Sequence, residues 1–472
     1  MENQNTWEKY TDEQISACDA FCKDYIDFLS SGKTERECTE IIKKEIEEAG
    51  YTDLDRLIDS GEQLKKGDKV YRVNMNKGVV MFNIGEDPLT EGMNILGAHI
   101  DSPRLDLKQN PLYADGGFAL MDTHYYGGIK KYQYVALPLA LHGVVCKKDG
   151  STITLNIGEK PEDPVFFVSD LLIHLAQKQM VKKASEVIEG EALDIIVGNK
   201  PLKVEEGSEK ENDENKEDPV KNGVLAILKR DYGIDEEDFL SAELEVVPAG
   251  PAREAGFDRS MILSYGQDDR VCAYSSYRAM LDVPDVKRTS CCILVDKEEI
   301  GSVGATGMQS RFFENTVAEV LALAGGYDDL KLRRCLARST MLSSDVNSGF
   351  DPLYASAYDK KNASFLGHGI VINKYTGARG KSGSNDANAE YLAHLRDIFE
   401  QEDVNYQTAE LGKVDQGGGG TIAYIMALYG MNVIDSGVAV LNMHAPWEAT
   451  SKADVYETER GYVAFLKHAK RL

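Results

Sequence analysis

Residues 291–307 read CCILVDKEEIGSVGATG. The five apolar residues from Cys291 to Val295 have the length and composition of a buried strand. They stop at two adjacent glutamates, Glu298 and Glu299, ahead of a glycine-punctuated turn. Two carboxylates side by side at a strand mouth repel each other unless a cation or a shared proton lies between them. The ordinary alternative is the solvated first turn of a following helix, where acids are favoured.

Other strand ends repeat the pattern. In MNILGAHIDSPRLD, residues 93–106, an apolar run leads into His99 and Asp101, whose spacing of two puts both on one face of a strand. RSTMLSSDVNSGFDP, residues 338–352, gives a strand over 339–342 that ends near Asp345. GVAVLNMHAPWE, residues 437–448, gives one over 438–442 that ends at His444. Asp268 and Asp269 precede an amphipathic helix in SYGQDDRVCAYSSYRAML, a position where acids also serve as caps. Helical patterns over 385–402 and 421–429 alternate with these strands. The fold class is therefore α/β, a mostly parallel mixed sheet flanked by helices. Ligands of such sheets bind outside the carboxyl ends of the strands. One edge would gather His99, Glu298, Glu299, Asp345 and His444, at a cost on the order of several kcal/mol unless metal ions compensate the charge. Two histidines with several carboxylates and no thiolate suit zinc, cobalt or manganese, and the number of carboxylates suits two ions sharing one of them.

The remainder of the chain frames that edge. Thr11 with Gln14 and Thr34 with Glu37 have capping-box spacing and open two helices, the second ended by Gly50. Residues 69–84 alternate around 76–78 as a hairpin. Over 108–245 short alternating segments indicate antiparallel β structure, so a domain formed by 1–107 and 246–472 is read as interrupted by a β-rich insertion. Within it, residues 203–223 are acidic and poor in apolar side chains, the pattern of a mobile surface loop. His174 falls on an expected helix, where a lone histidine is usually a packing residue; it is also carried as a substrate-binding candidate.

A chain of 472 residues, 42% hydrophobic and 28% charged, has the composition of a globular protein of two or three domains, and no run is apolar enough to span a bilayer. The first ten residues lack a basic start and apolar core, so the expected compartment is the cytoplasm. Eight cysteines without CxxC pairing fit reduced core thiols. A net charge of −25 argues against nucleic acid and acidic membranes as partners.

Taken in order, GAHIDSPRLDLK, GQDDR, DKEEIGS, SSDVNSGFDP and GGGGTIAY through NMHAPWE resemble the signatures of the aspartyl aminopeptidase family of di-zinc peptidases, here a bacterial member. The resemblance extends over nearly the whole chain. It implies two Zn2+ per subunit, replaceable by Co2+ or Mn2+. His99, Glu299, Asp345 and His444 would be terminal ligands, Asp268 the bridge, Asp101 the residue orienting His99, and Glu298 the base. It further implies a cis peptide between Asp268 and Asp269. The inserted domain would serve as a lid or in dimerisation, and dimers would build a tetrahedral homododecamer acting on short peptides. Eukaryotic members carry Asp-Asn where this chain has Asp268-Asp269, which leaves the preferred N-terminal residue open, acidic residues included.

The chemistry agrees: a water held between two metal ions is acidified, and a neighbouring glutamate takes its proton and passes it to the leaving amine. NKYTGARGKSGSND, residues 373–386, is a basic patch in an acidic chain. Lys374, Arg379 and Lys381 are either surface charges or a grip for a substrate carboxylate, and the resemblance makes this region part of the substrate pocket. Four glycines at 417–420 lack the Lys-Ser/Thr of a phosphate loop and indicate close backbone packing. A metal-dependent carboxypeptidase or deacylase of the same fold would share the ligands, and an inactive assembly or cargo protein would share only the fold. A scaffold has no use for Glu298 beside buried metals.

Overall fold

The computed structural model describes residues 4–202, 218–377 and 379–472. The chain divides into two compact units. One comprises Met1–Ser102, Ala252–Met443 and Trp447–Leu472, the other Pro103–Pro251 and His444–Pro446. The strands Arg104–Asp115 and Ala242–Pro248, inside which the sequence-based limits fall, belong to the second unit and pair with each other, Val246 opposite Leu105.

The first unit is built on a nine-stranded sheet. Across it run Thr52–Asp53, Lys69–Val73, Val79–Asn83, Ser290–Val295, Asn94–His99, Thr340–Ser343, Asn432–Gly437, Ile370–Asn373 and Tyr406–Thr408. The four at its centre, from Ser290–Val295 to Asn432–Gly437, are mutually parallel. Side chains alternate along a strand, and here both faces are buried. Cys291, Ile293 and Val295 pack into one apolar core with Ile95, Met341 and Val433, while Cys292 and Leu294 pack into the other with Leu96, Ala98 and Leu342. Each such side chain contributes roughly 1.5–3 kcal/mol when fully buried, which is why these strands are continuous apolar runs. Helices cover both faces. Asp12–Ser31 and Glu35–Glu48 each open on a complete capping box, at Thr11 and Thr34. The hairpin pairs Val73 with Val79.

The strand before His444 is not part of this sheet, contrary to the sequence reading. Asn432–Gly437 occupies the position beside Thr340–Ser343, and the chain then turns into Ala439–Leu441 of a separate five-stranded sheet. That small sheet also contains Asn347–Ser348, Met261–Ser264 and Glu448–Ser451. Its strands therefore flank Asp345, Asp268 and His444 in the chain.

The second unit holds a six-stranded sheet, antiparallel throughout, with a core that includes Leu105, Leu141, Leu155 and Val246. Two expectations are corrected in it. Residues 173–181 form successive turns rather than a helix; Leu171, Leu172, Ile173 and Leu175, whose packing would hold a helix there, are all exposed, and His174 is exposed among them. The acidic segment does not stay irregular to residue 223: Pro219 starts the helix Pro219–Ile227, which buries Val220 and Gly223. Residues 203–217 of that segment lie outside the described residues. No helix among the described residues is long and apolar enough to cross a membrane.

Candidate metal centre

The parallel strands bring several motifs to one edge of the sheet. Strand Asn94–His99 ends on His99, and Val295, opposite it in the neighbouring strand, leads into the turn bearing the glutamates. On the other side Ser343, opposite Gly97, leads to Asp345. Asp268 and Asp269 come from the start of helix Gln267–Asp282. Their dihedral angles are non-helical, the peptide bond between them is cis, and the residue at the N-cap of the helix is Gly266. The capping role considered from sequence is therefore not theirs.

His99 is 2% exposed. Its Nδ1 lies 3.1 Å from the Asp101 carbonyl and 3.3 Å from Asp101 Oδ1, so the Nδ1–H donates there and Nε2 faces the acids. Nε2 stands 3.3 Å from Asp268 Oδ1 and 4.0 Å from Asp345 Oδ1. Asp101 lies beyond the end of the strand and does more than orient the imidazole. Its two carboxylate oxygens accept the amides of Glu298 and Glu299, each at 3.2 Å. The glutamate turn is thus fastened to the segment that carries His99.

Two groups of potential ligands result, His99 with Asp269 and Asp345, and His99 with Asp268 and Glu299, the donor atoms of each within 4.8 Å of one another. Asp269, which the sequence reading did not count among the ligands, is fully buried beside them. Glu298 is in neither group. Burial pushes the His99 pKa down, but hydrogen bonding to Asp101 and Asp268 and the charge of Glu298 outweigh it and hold the imidazole well above its ordinary value. Burial, reinforced by the charge of Asp269, pushes Asp345 well above the usual carboxylate range. An edge that draws protons this strongly carries excess negative charge, which a cation would relieve. The donor set fits zinc. Two donors bound at tetrahedral zinc stand roughly 3.3 Å apart, given metal–ligand distances of about 2.0–2.1 Å, and His99 Nε2 and Asp268 Oδ1 have that separation.

The remaining sequence candidates are in neither ligand group. His444, with φ 65°, belongs to the second unit, where its Nδ1 is 2.9 Å from the carbonyl of Gly128; it is in neither ligand group. Lys374 and Lys381 both pair with Asp386, the latter at 3.0 Å, and Lys381 also lies over the Tyr375 ring. Arg379 is exposed, without an ion pair among the described residues. In the glycine run the expected close backbone packing is found at Gly417, where a Cβ would fall 1.5 Å from the Leu411 carbonyl oxygen, and not at Gly419 or Gly420, where it would meet nothing within 4 Å.

One residue lacked a sequence signal. Gly437 passes so close to the ligand segment that a Cβ there would sit 2.1 Å from the Asp345 carbonyl oxygen. Only the structure shows which backbone it faces.

A parallel-sheet edge presenting one oriented imidazole among buried and half-buried carboxylates, with no thiolate in either ligand group among the described residues, defines a metal-dependent hydrolase. The chain belongs to the Aminopeptidase I zinc metalloprotease (M18) family, whose model matches residues 28–466. It is 60% identical over 467 residues to a probable M18 family aminopeptidase 1 of Clostridium acetobutylicum, covering 99% of this chain and 98% of the relative. A relative of the same description from Thermotoga maritima is 46% identical, with both chains covered completely. Among solved structures, the M18 aminopeptidase of Thermotoga maritima superposes with a TM-score of 0.92 at 45% identity, covering 99% of this chain and 100% of that one. The Saccharomyces cerevisiae mApe1 dodecamer, 19% identical, shares the fold with a TM-score of 0.76 over 96% of this chain and 97% of that one.

Proposed function

We propose that this protein removes single residues from the free N-termini of short peptides with two divalent metal ions per subunit. In this reading His99, Glu299, Asp345 and His444 are terminal ligands, Asp268 lies between the ions, and Glu298 is the base. The observation that carries it is the cluster of one imidazole and four carboxylates, His99, Asp268 and Asp269 buried and Glu299 and Asp345 half-buried, with His99 Nδ1 turned to Asp101 and Nε2 turned to the acids. When bound, the ions supply Lewis-acid polarisation of the scissile carbonyl and acidify water. Asp101 fixes the His99 tautomer and, through the amides of Glu298 and Glu299, the start of the base-bearing turn. Glu298 takes the proton of the attacking water and delivers it to the departing amine. Arg379, exposed and without an ion pair among the described residues, is better suited than Lys374 or Lys381 to meet a substrate carboxylate. His174 is assigned to substrate contacts on the same footing as in the sequence reading. Cytoplasmic location and assembly of dimers into a closed homododecamer, the inserted unit acting as a lid or in dimerisation, complete the proposal.

Aminoacyl p-nitroanilides, free and N-acetylated, test it alongside N-acetylated peptides and metal analysis of the purified protein. Cleavage that requires the free amine, is lost on chelation and returns with zinc, cobalt or manganese is the expected result. Release of C-terminal residues from the acetylated peptides would favour the carboxypeptidase reading.

A further inference from the structure

The di-metal reading assigns the bridge to Asp268, and its backbone is gripped on both sides. Its amide donates to Oε2 of Glu448 at 3.0 Å, and its carbonyl accepts the Ser102 hydroxyl at 2.7 Å. Glu448 is 1% exposed and Ser102 is fully buried. Ser102 follows Asp101 in the chain, and Glu448 begins the strand just beyond His444. Side chains from the two histidine segments thus converge on one residue of a third, one on each of the peptide units that flank it.

The approach to that residue is fixed as well. Glu448 lies opposite Ser264 in the small sheet, at the end of the strand that leads into residue 268. Gln267, fully buried, donates its side-chain amide to the carbonyls of Glu448 at 2.7 Å and Ile262 at 3.1 Å. Its own amide oxygen accepts Thr450 Oγ1 at 2.6 Å. Gly266 has φ 69°, and a Cβ there would fall 1.9 Å from Arg270 Nη1 and 3.1 Å from Ser102 Oγ. A side chain at 266 would collide with the grip. A hydrogen bond from an amide to a carboxylate is about twice as strong as a neutral one. A buried carboxylate next to an acidic metal centre is costly, so one kept there has work to do.

From this geometry we infer that Glu448, with Ser102, is a positioning residue for the metal bridge, holding the Asp268 backbone so that its carboxylate meets both ions. The inference rests on the di-metal reading, and the experiment separates the two. Zinc affinity is measured by chelator competition, and the visible spectrum is recorded with Co2+, for the parent, Glu448→Leu, Glu448→Gln and Ser102→Ala; the melting temperature of each metal-free protein is measured in parallel. Glu448→Leu and Ser102→Ala should weaken zinc binding about 10–100-fold, the usual effect of removing a partner behind a ligand, and should alter the Co2+ bands. Glu448→Gln keeps an acceptor oxygen and should restore most of the affinity. If the parent binds no metal, the di-metal reading fails. If the parent binds metal and both Glu448→Leu and Ser102→Ala bind it equally well, melting lower only as metal-free protein, Glu448 is a structural stitch and the inference fails. Equal losses in Glu448→Gln and Glu448→Leu would mean that the charge acts and not the position, which overturns it too. Should Glu448→Leu not fold, Ser102→Ala decides by the same measure.

Discussion

At the level of single residues, the two glutamates of the turn are adjacent in sequence and distinct in surroundings. Both amides hang on Asp101, yet only Glu299 belongs to a group with His99 and Asp268. A ligand and a base make different demands. A ligand must be a carboxylate within reach of the ion, whereas a base need only reach the water and accept its proton. Glu298→Gln keeps size and hydrogen bonding but removes proton acceptance. Turnover should fall by about 10²-fold or more, with bound zinc near the parent value. Glu299→Gln should lose zinc, because a neutral amide oxygen is the poorer ligand. Turnover and zinc content of both variants check this; an active Glu298→Gln, or a metal-poor Glu298→Gln beside a metal-replete Glu299→Gln, would remove the assignment. His99, the glutamate pair and Asp345 were legible in the sequence because each follows an apolar strand. Asp101 as acceptor of both glutamate amides was not legible, since a hydrogen bond between residues 101 and 298 leaves no trace in spacing.

At the level of elements, the central strands were legible for a physical reason. Strands buried on both faces are continuous apolar runs, and those from Cys291 and Met93 can hardly be read otherwise. The small sheet was hidden because its strands Asn347–Ser348 and Ala439–Leu441 are too short to show a period. His444 was consequently assigned to the wrong sheet, although its position after a strand was right. Gly437, where the chain leaves the large sheet, shows how tightly the two sheets meet. The Asp345 carbonyl oxygen occupies the space of its missing side chain, 2.1 Å from where a Cβ would be. The obstacle is backbone, which cannot swing aside as a flexible side chain can. Gly437→Ala should therefore displace Asp345 and weaken metal binding and turnover together by about 10-fold or more, the scale of disturbed ligand positioning. Zinc titration of the purified variant checks it, and parental affinity would show that the ligand segment tolerates the shift.

At the level of the whole molecule, the second unit carries apolar surface that none of the described residues covers. Leu172, Ile173, Leu175, Met180 and Val181 are 55–85% exposed within ten residues. Soluble monomers rarely leave such a patch open, and the common remedy among enzymes is a closed symmetric assembly of identical chains. The patch surrounds His174, so a neighbour that covered the leucines would bury this histidine as well. Light scattering should accordingly report a homo-oligomer at working concentration. Ile173→Glu combined with Leu175→Glu would place two charges in the covered surface, and burying an unpaired charge costs several kcal/mol or more. The double variant should fall to smaller species while its zinc content stays at the parent value, because neither substitution replaces a proposed ligand. A parent that is monomeric and fully active would remove the assembly from the proposal. A double variant that keeps the parental size would leave the assembly standing and put its contact on another face.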